Sequence, residues 1–218
     1  MTKSLLTTRQ VDFLDFVGKQ PQLYENFYFS GGTALSEFYL SHRFSEDLDF
    51  FSEKEFDAGA LNLFLLTRKN SFSARFLQYQ QSFNRNLFFL EFDDRSSLKL
   101  EFTWYPFRRL EKGPTFGNLQ VDSVLDIAVN KVFILTQQVR GRDYVDLFEI
   151  HRKYAFDFME LLKLARTKFD YPINILQLGK NLIKVTTFLD DPILFKDIEK
   201  KTVENYFLQL AKELDIVK

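Results

Sequence analysis

The chain has 218 residues, no cysteine, and 29 basic against 30 acidic side chains, for a formal net charge of −1. That balance excludes the global electrostatic footprint of a general nucleic-acid binder, so any RNA contact must be local. Two histidines and no cysteine give no support to a zinc site of His or Cys ligands.

In chain order, the N-terminal MTKSLLTTRQVDFLDFV reads as an amphipathic helix without a cleavage site. Phe27 to Ser30 has the aromatic character of a short strand. Gly31 and Gly32 let the backbone turn sharply, and Thr33 opens a helical run, ALSEFYLS. DLDFF follows as a strand, and a further helix runs to about Lys69. Aromatic-rich strands are expected near 72–80, 85–92 and 97–104. Beyond Asp122 the pattern is helical, with VDSVLDIAVNKVFIL as one helix, another starting near Gly141, and further candidates at 157–169, 174–188 and 202–215. The expectation is an α+β fold, with a mixed sheet bearing the site in a core over 1–121 and a helical C-terminal lobe over 122–218. The 27 phenylalanines are spread through the chain, which argues for packing instead of a stacking platform. No apolar run reaches the ~18 to 20 residues that span a bilayer, so a cytoplasmic protein without a membrane partner is expected.

One stretch carries chemistry. A strand, a Gly-Gly turn and a helix start make an anion site, because the first N–H groups of a helix lack internal partners and point along its positive end. Gly31, Gly32 and Thr33 are therefore candidates to cradle a triphosphate. Asp47 and Asp49 follow, flanking Leu48. In an extended strand, residues two apart project on one face. At ~5 Å and an effective dielectric of ~20, two unpaired carboxylates repel by roughly 3 kcal/mol, so the pair calls for a cation. That cation is either Mg²⁺ (or Mn²⁺), which accepts carboxylates plus substrate phosphate oxygens, or Arg43 or another basic side chain.

The order GGTAL, HRFSEDLDFF and a later strand carboxylate resembles the polymerase-beta-like nucleotidyltransferases, and more narrowly the AbiEii toxin family. The matching residues are Gly31 to Leu35, then His42, Arg43, Ser45, Asp47 and Asp49. A second family element is met by Asn130, Lys131, Arg140, Arg142, Asp143, Asp146 and Leu147. The resemblance covers roughly residues 27 to 150. It implies a polymerase-beta-like core, NTP as substrate, and a bacterial toxin of a toxin–antitoxin or phage-defence system. Such a toxin would act on RNA such as tRNA and be restrained by a cognate antitoxin. It also implies nucleotide contacts from Arg43 and Ser45 beside the glycine turn.

The superfamily further implies a third acid on a neighbouring strand, and SSLKLEFTWYPF offers Glu101. Leu98, Leu100, Phe102 and Trp104 alternate with Lys99, Glu101 and Thr103, so Glu101 lies on the polar face. It could share the metal or take a proton from an attacking hydroxyl; the plainer alternative is a solvated strand face beside Lys99. Lys131 falls off its helix's apolar stripe, as either a point charge for phosphate or a solvated lysine. Asp143 and Asp146, three apart, would share one helix face in an internal salt-bridge network that fixes Lys131. His42 helps to position the metal loop or is merely structural. The rival readings are an inactive nucleotide-binding interaction protein of the same fold and a phosphohydrolase using the same carboxylates.

Overall fold

The computed structural model describes residues 4–187, 193–194 and 197–214. The chain divides into two compact units, Met1–Glu37 with Ser45–Ser123, and Phe38–Phe44 with Val124–Lys218.

The first unit is built on a seven-stranded mixed sheet: β1 (Tyr28–Ser30), β2 (Leu48–Ser52), β3 (Phe76–Ser82), β4 (Arg85–Glu91), β5 (Ser97–Trp104), β6 (Thr115–Phe116) and β7 (Leu119–Val121). Their spatial order is β3-β4-β5-β2-β1-β7-β6. β2 is central, parallel to β5 and antiparallel to β1. The helices of this unit are α1 (Thr8–Gly18), the single turn α2 (Pro21–Tyr24), α3 (Gly31–Leu35) and α4 (Ala58–Thr67). The expected strands at 85–92 and 97–104 are present. The one expected at 72–80 begins later, at Phe76, because Lys69–Phe72 closes α4 with a 3-10 turn. β6 and β7 are too short to show a period of two in the sequence.

Alternation sorts the sheet's two faces. Leu48, Phe50, Phe88, Leu90, Leu98, Leu100 and Phe102 are buried. Phe50 stacks on Phe102 at 4.7 Å between centroids, and Phe13 of α1 meets Phe50 at 5.9 Å and Phe72 at 5.1 Å. Burying one such ring contributes about 1.5–3 kcal/mol, so this aromatic layer anchors α1 to the sheet. The opposite face carries the alternate residues, Asp49 on β2 and Lys99, Glu101 and Thr103 on β5.

α1 starts on a capping box. Thr7 Oγ1 accepts from the Gln10 N–H and Gln10 Oε1 accepts from the Thr7 N–H, satisfying two N–H groups that the helix leaves open. α3 runs directly into one π-helical segment, Ser36–Leu40, where the sequence suggested a plain helix.

The second unit contains α5 (Val124–Leu135), α6 (Gly141–Tyr154), α7 (Phe158–Phe169), α8 (Ile175–Ile183) and α9 (Lys200–Glu213), with a 3-10 turn at Lys184–Thr186. Asp157 and Asn174 cap α7 and α8 by accepting the N–H groups of Glu160 and Gln177. Of the expected helices, residues 188 and 215 lie outside the described residues, as do 1–3 at the N-terminus. Among the described residues no helix is long and apolar enough to cross a membrane.

Candidate active site

Asp49 and Glu101 are register partners on the parallel strands β2 and β5, and Ser30 of β1 is the partner of Asp49 on its other side. Three adjacent strands thus place Ser30, Asp49 and Glu101 in one row. Asp47 precedes Asp49 by two residues, immediately before β2.

Gly31 makes the approach of Asp49 possible. Its φ is +76°, and a Cβ built there would lie 2.0 Å from Asp49 Oδ2, so any side chain would collide with the carboxylate. The glycine answers two demands, a left-handed backbone and an absent side chain. Gly32 and Thr33 continue into α3. The Thr33 hydroxyl, expected to face phosphate, is buried and donates to the Asp47 carbonyl. Its role is to hold the backbone that presents the acids. Gln10 does the same from α1: its Nε2 donates to the carbonyls of Ser45 (2.9 Å) and Glu46 (3.1 Å). Ser45 is therefore fixed through its backbone. Sequence reasoning missed Gln10 in this role; a glutamine inside a capping box gives no sign that its amide reaches another segment.

Basic side chains already attend the acids. Lys99 Nζ lies 2.6 Å from Asp47 Oδ2. Arg85 of β4, absent from the sequence reading, grips Glu101 with Nε–Oε1 2.6 Å and Nη2–Oε2 2.5 Å. Thr103 Oγ1 donates to Glu101 at 3.0 Å. Burial raises the affinity of Glu101 for a proton, but the hydrogen bonds and charge of Arg85, with help from Thr103 and Lys99, outweigh it and hold the carboxyl below its ordinary range. Among the described residues no three His, Cys, Asp or Glu side chains converge closely enough to hold a metal ion. The donor chemistry is nevertheless that of a hard divalent cation, namely carboxylate oxygens on adjacent strands and the preceding loop.

The second family element forms a buried network within the second unit. Asp146, fully buried, accepts from Arg43 Nε (2.6 Å) and Nη2 (2.9 Å), meets His42 Nε2 at 2.6 Å, and pairs with Lys131 Nζ at 2.6 Å. Lys131 also reaches Asp143 Oδ1 at 3.1 Å, and Arg140 Nε lies 3.3 Å from Asp143 Oδ2. The salt-bridge network expected of Asp143 and Asp146 is present. Arg43 donates to Asp146 through Nε and Nη2 and to the Phe44 carbonyl through Nη1, and Lys99 is a cation beside Asp47. Lys131 is buried, not solvated. Burial opposes charge on Asp146, but Lys131 and Arg43, with the hydrogen bonds from Arg43 and His42, hold its carboxyl well below the usual carboxylate range.

Comparison with known proteins gives a consistent picture. The family described as nucleotidyl transferase AbiEii toxin, type IV TA system, matches residues 16–213. An uncharacterized protein of Aquifex aeolicus (strain VF5), aq_aa25, is 31% identical over 199 residues, covering 86% of this chain and 87% of that one. The crystal structure of JHP933 from Helicobacter pylori superimposes with a TM-score of 0.61 at 18% identity, over 94% of this chain and 88% of that chain. A second H. pylori structure, described as a candidate nucleotidyltransferase, gives 0.63 at 18% identity, over 94% and 91%. At that identity the two structures establish the fold.

Proposed function

Because this chain belongs to the AbiEii family of nucleotidyltransferase toxins from type IV toxin–antitoxin systems, we propose that it transfers a nucleoside monophosphate from an NTP to a hydroxyl of an RNA acceptor such as tRNA. In that reaction the acceptor hydroxyl gives up its proton to solvent, its oxygen bonds to the α-phosphorus, the bridging bond to the β-phosphate breaks, and pyrophosphate leaves. The observation that carries the reading is the register of Asp49 with Glu101 on parallel strands, with Gly31 against Asp49.

Asp47, Asp49 and Glu101, not drawn together as they stand, are the residues that would close on Mg²⁺ or Mn²⁺, which when bound would offset the charge of the phosphate oxygens. Asp47 and Glu101 would exchange Lys99 and Arg85 for the ion. The register of Glu101 with Asp49 on the adjacent strand supports Glu101 as a ligand beside it. The N–H groups of the Gly31–Gly32–Thr33 turn bind phosphate, while Thr33 and Gln10 hold the acid-bearing backbone in place. The protein works in the cytoplasm with a cognate antitoxin.

One observation favours a second reading. Lys99 and Arg85 pair with Asp47 and Glu101, as they would in an inactive interaction protein of the same fold. Incorporation of α-labelled NTPs, each tested singly with Mg²⁺ or Mn²⁺ into total bacterial RNA and protein, separates the two. The enzyme moves label into RNA, and Asp49→Asn abolishes it. Folded parent protein that transfers no label with any nucleotide or metal belongs to the second reading.

A further inference from the structure

α4 is apolar on every side. Its sequence, AGALNLFLLT, has one strongly polar residue before Thr67, and a helix of that kind is ordinarily buried all round. Here only Leu61 and Leu65 are buried. Leu63 is 61% exposed and Leu66 44%. With Gly59, Ala60 and Thr67, also exposed, they recur at a spacing of three and four and form one stripe along the helix. A Cβ on Gly59 would meet Asp57 Oδ1 at 3.2 Å, pressing on the carboxylate that caps α4. A glycine on the exposed stripe also lets another backbone come close.

Charge selects the occupant. Glu55 and Asp57 stand at the N-terminal end of α4 and Arg68 and Lys69 at its C-terminal end. Arg68 lies over the Phe64 ring, and neither Glu55 nor Arg68 has an ion-pair partner among the described residues. A helix with acid at one end and base at the other is complementary to itself when inverted. We propose that α4 is the interface of a homodimer, in which two copies of the helix pack antiparallel about a two-fold axis at Leu63. Matching each residue with its mirror about Leu63 sets Ala60 opposite the partner's Leu66, small against large. Gly59 falls opposite the partner's Thr67, and Asp57 opposite the partner's Lys69, one residue from Arg68. The two helix dipoles oppose each other, and the patch is isologous, as a two-fold dimer requires. A ten-residue helix is about 15 Å long, so the contact lies at the small end of specific interfaces and gives a reversible dimer.

Sedimentation equilibrium of the full chain over a concentration series tests this, alongside Leu63→Glu and Arg68→Glu. The parent is expected to associate to a dimer. Leu63→Glu, which would place two carboxylates at the axis, should weaken association about thirtyfold or more, as loss of a hot-spot residue does. Arg68→Glu should weaken it less, and most at low salt. Because the chain has no cysteine, Leu63→Cys gives an independent readout: on mild oxidation it should form a disulfide dimer rapidly, whereas Lys112→Cys should not. A parent that stays monomeric at every concentration would overturn the proposal, as would a dimer that Leu63→Glu leaves intact. Flotation of a monomeric parent with phospholipid vesicles, lost in Leu63→Glu, would also overturn it and give the face to lipid.

Discussion

Gly31 and Asp49 share one volume: the space a side chain on Gly31 would fill is occupied by the Asp49 carboxylate, 2.0 Å from the Cβ position. The turn and the acid are therefore one feature, although eighteen positions separate them in the sequence. Gly31→Ala should cost about 1–3 kcal/mol of backbone strain plus the price of displacing Asp49. Gly117→Ala calibrates the first part, since Gly117 has φ +58° with nothing within 4 Å. Denaturant unfolding should place Gly31→Ala below Gly117→Ala. Adding Asp49→Ala to Gly31→Ala should recover stability but not transfer, a non-additivity typical of residues in contact.

Asp146 balances Lys131 and Arg43 away from water. Removing one partner of a buried ion pair leaves the others uncompensated and typically costs about 3–5 kcal/mol. Asp146→Ala should lower the unfolding free energy from urea titration by that amount, far more than Lys163→Ala, whose exposed pair with Glu160 is solvent-screened.

Paired carboxyls in each unit set an acid limb. The folded carboxyls of Asp146, Asp143 and Glu101 are all held below their ordinary range. A depressed folded pKa means that the stabilisation is fully present above the unfolded value, about 4, and is lost as pH falls through the folded one. Thermal midpoints should hold from neutrality to about pH 5 and then fall. The gap between parent and Asp146→Asn should narrow over that acid range.

Gln10 is expected to matter to the site from α1. Gln10→Ala removes the donor to the part-buried carbonyls of Ser45 and Glu46 and should cost about 0.5–1.5 kcal/mol. It should also reduce transfer at a temperature where the variant is fully folded, as measured by label incorporation.

Lys99 and Arg85 compete with a divalent ion for Asp47 and Glu101. Lys99→Met and Arg85→Met should each tighten Mn²⁺ binding measured by calorimetry, whereas Asp49→Asn should abolish it. Unchanged affinity in both Met variants would mean that the ion pairs do not occupy the metal's place.

The sequence by itself determined the sheet-forming segments β1 to β5, the start of β3 apart, and the glycine turn, because turn chemistry and a period of two or 3.6 act between near neighbours. It determined that Glu101 stands on the polar face of its strand for the same reason. Tertiary structure alone decided that Glu101 lies in register with Asp49, that Arg85 grips it, and that Gln10 reaches across to the loop before Asp47. It also decided that Arg43 answers Asp146 instead of the paired acids. Each of those contacts spans 16 to 103 positions or depends on strand order. Local patterning says which way a side chain points but not which strand or loop will lie beside it.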